Sequence, residues 1–323
     1  MGNERFIKMI LLSVIVPTRN RERALKDTLT SFIAQTYPPD NYEIIVVDNG
    51  SIDNTQNVCQ ALKSKLPNLY YFFDARPGLH VGRHLGMKMS KGDVLVFADD
   101  DIEAFPTWLE GIAAAFKDSN VVLVGGKNLP KFETEPPAWI KQMWEKDHQG
   151  NRVLGYLSIL DLGDKIKKIS PFFVFGCNFS IRKSILLETG GFHPDGMPEE
   201  LIRYRGDGES HISRYISGHK YKTLYHPKAS VYHLVPKIRM TEDYFCKRAF
   251  NQGISDSYTH IRNGNKTQGW KMIFRKIKSG LNSVFGNKRT AKIKAAYYKG
   301  YKYHRKEVRK DTTLYEWVME ESY

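Results

Sequence analysis

The chain has 323 residues, 41% of them hydrophobic and 12% aromatic, which is ordinary for a globular protein and enough for one large core or two modest ones. Its net charge of +14 is concentrated in residues 265–310, where fifteen Lys or Arg stand against one acid, Glu307, so the neutral remainder argues against specific nucleic-acid binding by the body of the protein. Three widely spaced cysteines, Cys59, Cys177 and Cys246, argue against a disulfide framework or a zinc ribbon, and the absence of a membrane-length apolar run or a signal-peptide core places the expected location in the cytoplasm.

In chain order, residues 11–17 (LLSVIVP) read as a buried strand. Residues 21–35 set Ala24, Leu25, Leu29, Phe32 and Ile33 at helical spacing, and Tyr37-Pro38-Pro39 ends that helix. A strand at 42–48, a turn at Asn49-Gly50-Ser51, a helix at 53–66, a strand at 69–73 and a helix at 80–90 follow. Residues 94–98 are five apolar residues in a row, as in a strand buried on both faces, and they run into Asp99, Asp100 and Asp101. Alternation along an extended chain lets Asp99 and Asp101 point the same way. Two carboxylates at a strand end suit a hard divalent cation, Mg2+ or Mn2+; an acidic turn capping the helix that begins near Pro106 is the plainer alternative. With a helix at 106–116 and a strand at 121–125, the alternation predicts a parallel α/β sheet with right-handed crossovers. In such sheets ligands sit beyond the carboxyl ends of the strands. Pro17-Thr18-Arg19, Asp48-Asn49 and Asp99 to Asp101 all lie at such ends, and together they predict a nucleotide site.

The segments VIVPTRNR, VVDNGSIDNT, RPGLHVGRHLGMKMSKGD and VFADDDIEAFPTWLE, in this order and spacing, resemble the successive motifs of the inverting family 2 glycosyltransferases of the GT-A fold. The resemblance runs over roughly residues 13–258. It implies a Rossmann-like, mostly parallel sheet flanked by helices, a nucleotide-diphosphate sugar donor, Mn2+ or Mg2+, and transfer with inversion. By this resemblance Pro17, Thr18, Arg19, Asp48 and Asn49 hold the base and ribose. Many relatives carry Asp where Asn49 stands, and Asn accepts a hydrogen bond without charge, which leaves uracil favoured beside thymine and guanine. Arg83 matches an Arg near the diphosphate, where a guanidinium suits paired oxygens, although His84 replaces the usual Asn. Asp99 and Asp101 match the D-x-D positions, with Asp99 and Asp100 also counted among the donor contacts.

Residues 127–146, with Pro130, Pro136, Pro137, Trp139 and Trp144, are expected to cover the acceptor side. Asn178, within FVFGCNFSIR, resembles the family's G-x-N segment bordering the donor sugar. RYRGDGESHISR, residues 203–214, resembles the acidic motif that opens the helix holding the catalytic base. Asp207 and Glu209 compete for that role, and Asp207, between glycines at the expected helix start, is preferred; the alternative is that one of them only caps the helix. His219, His226 and His233 recur every seven residues, but without cysteines this spacing does not make a zinc site. His233 falls where several relatives supply an imidazole to the metal, so the expected ligands are Asp99, Asp101 and His233. A buried, satisfied histidine is the alternative there.

The expected organisation is a GT-A domain at 1–264, divided near residue 126 into nucleotide and acceptor halves, and a basic helical extension at 265–323. In that extension Trp270, Ile273, Phe274, Ile277, Leu281, Val284 and Phe285 fall on one helical stripe, and a second helix at 290–310 sets Tyr297, Tyr298 and Tyr301 among basic side chains. Such a segment can lie on an anionic membrane surface, close to a lipid-linked or glycan acceptor; packing on the catalytic domain is the alternative. The rival function is a non-catalytic nucleotide-sugar-binding or scaffold member of a polysaccharide synthesis complex, which donor turnover would separate from an enzyme.

Overall fold

A computed structural model describes residues 9–264 and 287–321. Strands β1 (Leu12–Thr18), β2 (Tyr42–Asp48) and β4 (Val94–Ala98) are buried at every residue, as strands covered on both faces must be. They pair in parallel, with β3 (Leu69–Phe73) outside β2. Alternate residues feed opposite layers. Val14, Val16, Ile44, Val46, Val94 and Val96 pack with Leu25, Leu29 and Phe32 of helix α1 (Glu22–Phe32), Cys59 and Leu62 of α2 (Thr55–Leu62), and Trp108 and Ile112 of α4 (Trp108–Phe116). Ile15, Ile45, Val47, Leu95 and Phe97 pack on the other face. Helix α3 (Leu79–Met89) lies between β3 and β4 in the chain.

The order across this eight-stranded sheet is β10-β12-β6-β11-β4-β1-β2-β3. Here β6 is Val121–Gly125, β10 is Lys167–Lys168, β11 is Asn178–Arg182 and β12 is Lys222–Tyr225. The sheet is mostly parallel, as expected, and β10 pairs antiparallel with β12 at its edge. Strand β11 inserts between β4 and β6 and runs antiparallel to both, so strands adjacent in the chain are not neighbours at that point. A second sheet, ordered β5-β13-β7-β9-β8, joins Ile102–Ala104, Val231–Val235, Asn128–Phe132, Ile159–Asp161 and Arg152–Leu154 respectively. Helices α5 (Ala138–Met143), α6 (Lys183–Glu188), α7 (Glu209–Gly218) and α8 (Glu242–Arg262) complete the body, and α6 and α7 cover the second face of the large sheet through Ile185, Leu186, Ile212 and Ile216.

The C-terminal helices α9 (Asn287–Lys310) and α10 (Thr312–Met319) are packed parts of this fold. A Cβ on Gly300 would lie 2.0 Å from the Phe250 carbonyl oxygen, and one on Gly253 would lie 2.1 Å from that of Tyr297. Helices α8 and α9 therefore meet backbone to backbone. Ile293 and Tyr297 join the cluster of Phe245 and Ala249, and Val308, Leu314 and Val318 enclose Tyr258. The Tyr297 hydroxyl donates to Asp256 at 2.7 Å. Charge marks the exposed face of α9, while its other face is core. The apolar stripe from Trp270 to Phe285 lies outside the described residues. Among the described residues, no helix is long and apolar enough to cross a membrane.

Candidate active site

The acidic turn after β4 sends Asp100 and Asp101 to a shared partner, Arg21. Asp100 turns toward β1, accepting from the Thr18 hydroxyl at 2.7 Å and pairing with Arg21 at 2.9 Å. Burial pushes its carboxyl up to about 7, against the opposing charge of Arg21. Asp101 accepts from Arg21 at 2.8 Å and from Arg239 at 3.0 Å through one oxygen. Burial works to raise its pKa, but His233, Arg21 and Arg239 overcome it and hold the carboxyl well below the usual range. Asp99 is pushed up, by burial and by the neighbouring charge of Asp101.

The antiparallel pairing of β13 with β5 sets His233 opposite Ile102, and the Leu234 N–H donates to the Asp101 carbonyl at 2.9 Å. That register brings the imidazole to the acidic turn. Its Nδ1 lies 3.0 Å from the Leu157 carbonyl. A carbonyl only accepts, so Nδ1 carries the proton and in the neutral ring Nε2 presents a lone pair. That Nε2 is 3.4 Å from Oδ1 of Asp101 and 3.4 Å from Nη1 of Arg239. Oδ1 is buried and without a hydrogen-bond partner. Two acceptors facing each other at a buried position fit a cation between or beside them. Asp99, Cys177 and His233 each offer a ligand atom within 4.8 Å of the others. The residues present therefore fit the divalent ion that the resemblance implies.

The other half of the site is built on α3 and α7. Arg83 is buried on α3 and lies over the Phe192 ring at 4.8 Å. Its Nη2 is 4.0 Å from Oδ1 of Asp99 and its Nη1 is 3.5 Å from Oε2 of Glu209, a carboxylate whose side chain is 29% exposed. A line of charge thus runs from the acidic turn to the first residue of α7.

Asp207, the preferred base, is elsewhere. Its Oδ1 is 2.6 Å from Nδ1 of His193, and its Oδ2 accepts from Thr259 at 2.6 Å and from Arg214. Both oxygens are committed within a buried cluster between α7 and α8. Gly208, at φ +52, turns the chain between the two acids, a conformation open to glycine at little cost. Neither acid caps α7 with its side chain.

The remaining candidates are placed as follows. Asn178 is buried, with its Oδ1 accepting from the Trp108 indole at 3.0 Å and its Nδ2 donating to Asn128 at 3.1 Å and the Ala229 carbonyl at 2.9 Å. The structure buries this amide and turns its polar atoms to Trp108, Asn128 and Ala229. Asp48 accepts from the Ser51 N–H at 2.7 Å and from the Tyr71 hydroxyl at 2.8 Å, and the Asn49 amide donates to the Asp74 carbonyl at 3.4 Å. The Asn49 N–H donates to the Thr18 carbonyl at 2.8 Å. These contacts hold the β1 and β2 loops side by side, with Pro17 buried and Arg19 exposed. Three residues of the site escaped sequence reasoning. Arg21 falls within the α1 pattern, Arg239 sits in a segment without a motif, and the spacing of Cys177 from the other cysteines suits neither a disulfide framework nor a zinc ribbon.

Residues 13–190 match the family described as Glycosyl transferase family 2. The chain belongs to this family. Among family 2 relatives, the glycosyltransferase AglE of Haloferax volcanii is 34% identical over 116 residues, 36% of this chain and 38% of AglE. The glucosyl-dolichyl phosphate glucuronosyltransferase of the same organism is 24% identical over 251 residues, 76% of this chain and 75% of that protein. The chain thus spans about two fifths of the first relative's length and three quarters of the second's. The mannosyltransferase PcManGT of Pyrobaculum calidifontis, solved with GDP-Man and Mn2+, superposes at a TM-score of 0.55 over 97% of this chain and 86% of that one, at 19% identity. The expected GT-A fold is therefore the observed one, and the family's class of activity is glycosyl transfer.

Proposed function

We propose that this family 2 chain is an inverting hexosyltransferase that moves a sugar from a nucleotide-diphosphate sugar to a hydroxyl of a lipid-linked or glycan acceptor. The observation that carries this reading is the line Asp99, Arg83, Glu209, which ends on a partly exposed carboxylate. Asp99, Asp101 and His233 would hold the divalent ion. When bound, the ion supplies charge neutralisation for the departing nucleoside diphosphate. Arg83 offers its guanidinium to the same oxygens. Glu209 takes the proton of the acceptor hydroxyl while that oxygen bonds to the anomeric carbon, opposite the breaking bond to the diphosphate, so the configuration inverts. Asp207, tied to His193, Arg214 and Thr259, steadies the start of α7 and with it Glu209.

Sequence favours a uridine donor, while the mannosyltransferase neighbour was solved with GDP-Man. A thermal-shift screen of UDP- and GDP-sugars with Mn2+ tests the donor class, because a ligand that binds only the native state raises the melting temperature. A shift with one nucleotide sugar, dependent on the ion, is expected. No shift across the set would remove the donor reading, and a shift without turnover would favour the non-catalytic alternative.

The acceptor side has a second support. Helix α9 turns Lys299, Lys302, Lys306, Arg309 and Lys310 to solvent, and Lys302, Arg305, Lys306, Arg309 and Lys310 line one open groove. Its apolar face is already used against α8. Docking on an anionic membrane leaflet would then rest on charge, at about 1 kcal/mol for each basic residue near the surface. The dolichyl phosphate in the name of the glucuronosyltransferase relative supports a lipid-linked acceptor. Co-sedimentation with anionic liposomes should be seen at low salt and fade as salt screens the charges. Indifference to anionic liposomes at low salt would remove the membrane reading.

A further inference from the structure

Cys177 stands at the metal-binding end of the site, and the reaction above gives it no part. It is 1% exposed. Its sulfur, a ring nitrogen of His233 and a carboxylate oxygen of Asp99 all lie within 4.8 Å of one another. A chain of hydrogen bonds sets the polar groups around this sulfur. The Trp108 indole can only donate, and it donates to Oδ1 of Asn178 at 3.0 Å. The Asn178 amide must then turn its Nδ2 to Oδ1 of Asn128, at 3.1 Å. Asn128 is left with its own Nδ2 facing Sγ of Cys177, at 3.3 Å. The sequence of donors therefore ends in an amide nitrogen that faces both the sulfur and the Ser158 carbonyl, at 3.3 Å each. The thiol itself donates to the Ser158 carbonyl at 3.8 Å. The buried Oδ1 of Asp101 is without a hydrogen-bond partner and faces Nε2 of His233 at 3.4 Å.

We propose that Cys177 is a metal ligand, and that its thiolate, with His233 and the acidic turn, makes this centre take thiophilic divalent cations such as Cd2+, Co2+ or Zn2+ in preference to Mn2+ or Mg2+. The inference rests on the reading that Asp99, Asp101 and His233 hold an ion. Tetrahedral sites with sulfur at about 2.3 Å and nitrogen or oxygen at about 2.1 Å bring their ligand atoms to roughly 3.3–3.8 Å apart, so a contraction of about 1 Å closes this set on an ion. Sulfur is a soft donor, and its presence in a mixed N, O, S set shifts preference away from hard cations. On binding, the thiol gives its proton to solvent and the sulfur lone pair forms the bond to the metal.

The test is spectroscopic and independent of turnover. The full chain, without donor, is titrated with Cd2+ and the ultraviolet thiolate-to-metal charge-transfer band is recorded, with binding of Mn2+ followed in parallel by electron paramagnetic resonance. The band should appear at one equivalent, Cd2+ should displace Mn2+, and the band should vanish in Cys177→Ser with about a tenfold or greater loss of Cd2+ affinity. Cys59→Ala and Cys246→Ala should keep the band. Mn2+ binding with no Cd2+ band in the wild type would overturn the Cys177 proposal and leave the metal reading standing, whatever the folding of the variants. A band that survives Cys177→Ser would also overturn it. Failure of both ions to bind would remove the metal reading together with the proposal.

Discussion

Glu209→Gln is expected to lower turnover by about 10²- to 10⁴-fold, the range for losing a general base, while donor binding is largely kept. The amide is isosteric, keeps its place 3.5 Å from Arg83, and lacks only the basic oxygen. Asp207→Asn should behave differently. Its carboxylate is the shared partner of His193, Arg214 and Thr259, so the change leaves a half-buried guanidinium poorly matched and lowers the melting temperature. Single-turnover rates and melting temperatures of the two variants separate these effects. If Asp207→Asn keeps the wild-type melting temperature and loses more turnover than Glu209→Gln, the role of base returns to Asp207.

Asp101→Asn is expected to abolish Mn2+ binding and with it nearly all activity. The argument is the Oδ1 without a hydrogen-bond partner, which faces Nε2 of His233 at 3.4 Å: two acceptor atoms meeting at a buried position fit a cation beside them. The same substitution also removes the negative charge that Arg21 and Arg239 share, so some loss of stability accompanies it. EDTA separates the two consequences, since it removes the ion and leaves the carboxylate with its arginines. Wild-type enzyme in EDTA should lose activity and recover it on addition of Mn2+ or Mg2+, with its fold unchanged throughout. Undiminished activity in EDTA would show that Arg83 and the backbone manage the diphosphate alone.

The sequence by itself determined the elements on which this site stands. Strands β1, β2 and β4 are apolar at every position because both faces are covered, and that pattern is visible in a short window. The acidic turn follows β4 directly, and its three adjacent carboxylates are visible in the same window. What only the tertiary structure decided was partnership. Antiparallel β11 enters between β4 and β6 from much later in the chain, and no local signal in residues 178–182 announces its neighbours. His233 reaches Asp101 because β13 pairs with β5, a register set by two strands far apart in sequence. Asn178 looked available for a sugar until Trp108, Asn128 and Ala229 closed around it. The proposed choice of Glu209 over Asp207 rests on His193, Arg214 and Thr259 assembling around the first acid alone. Residue type and spacing can nominate two carboxylates. Which of them is buried and spent, and which is left facing Arg83, depends on helices that meet only when the chain has folded.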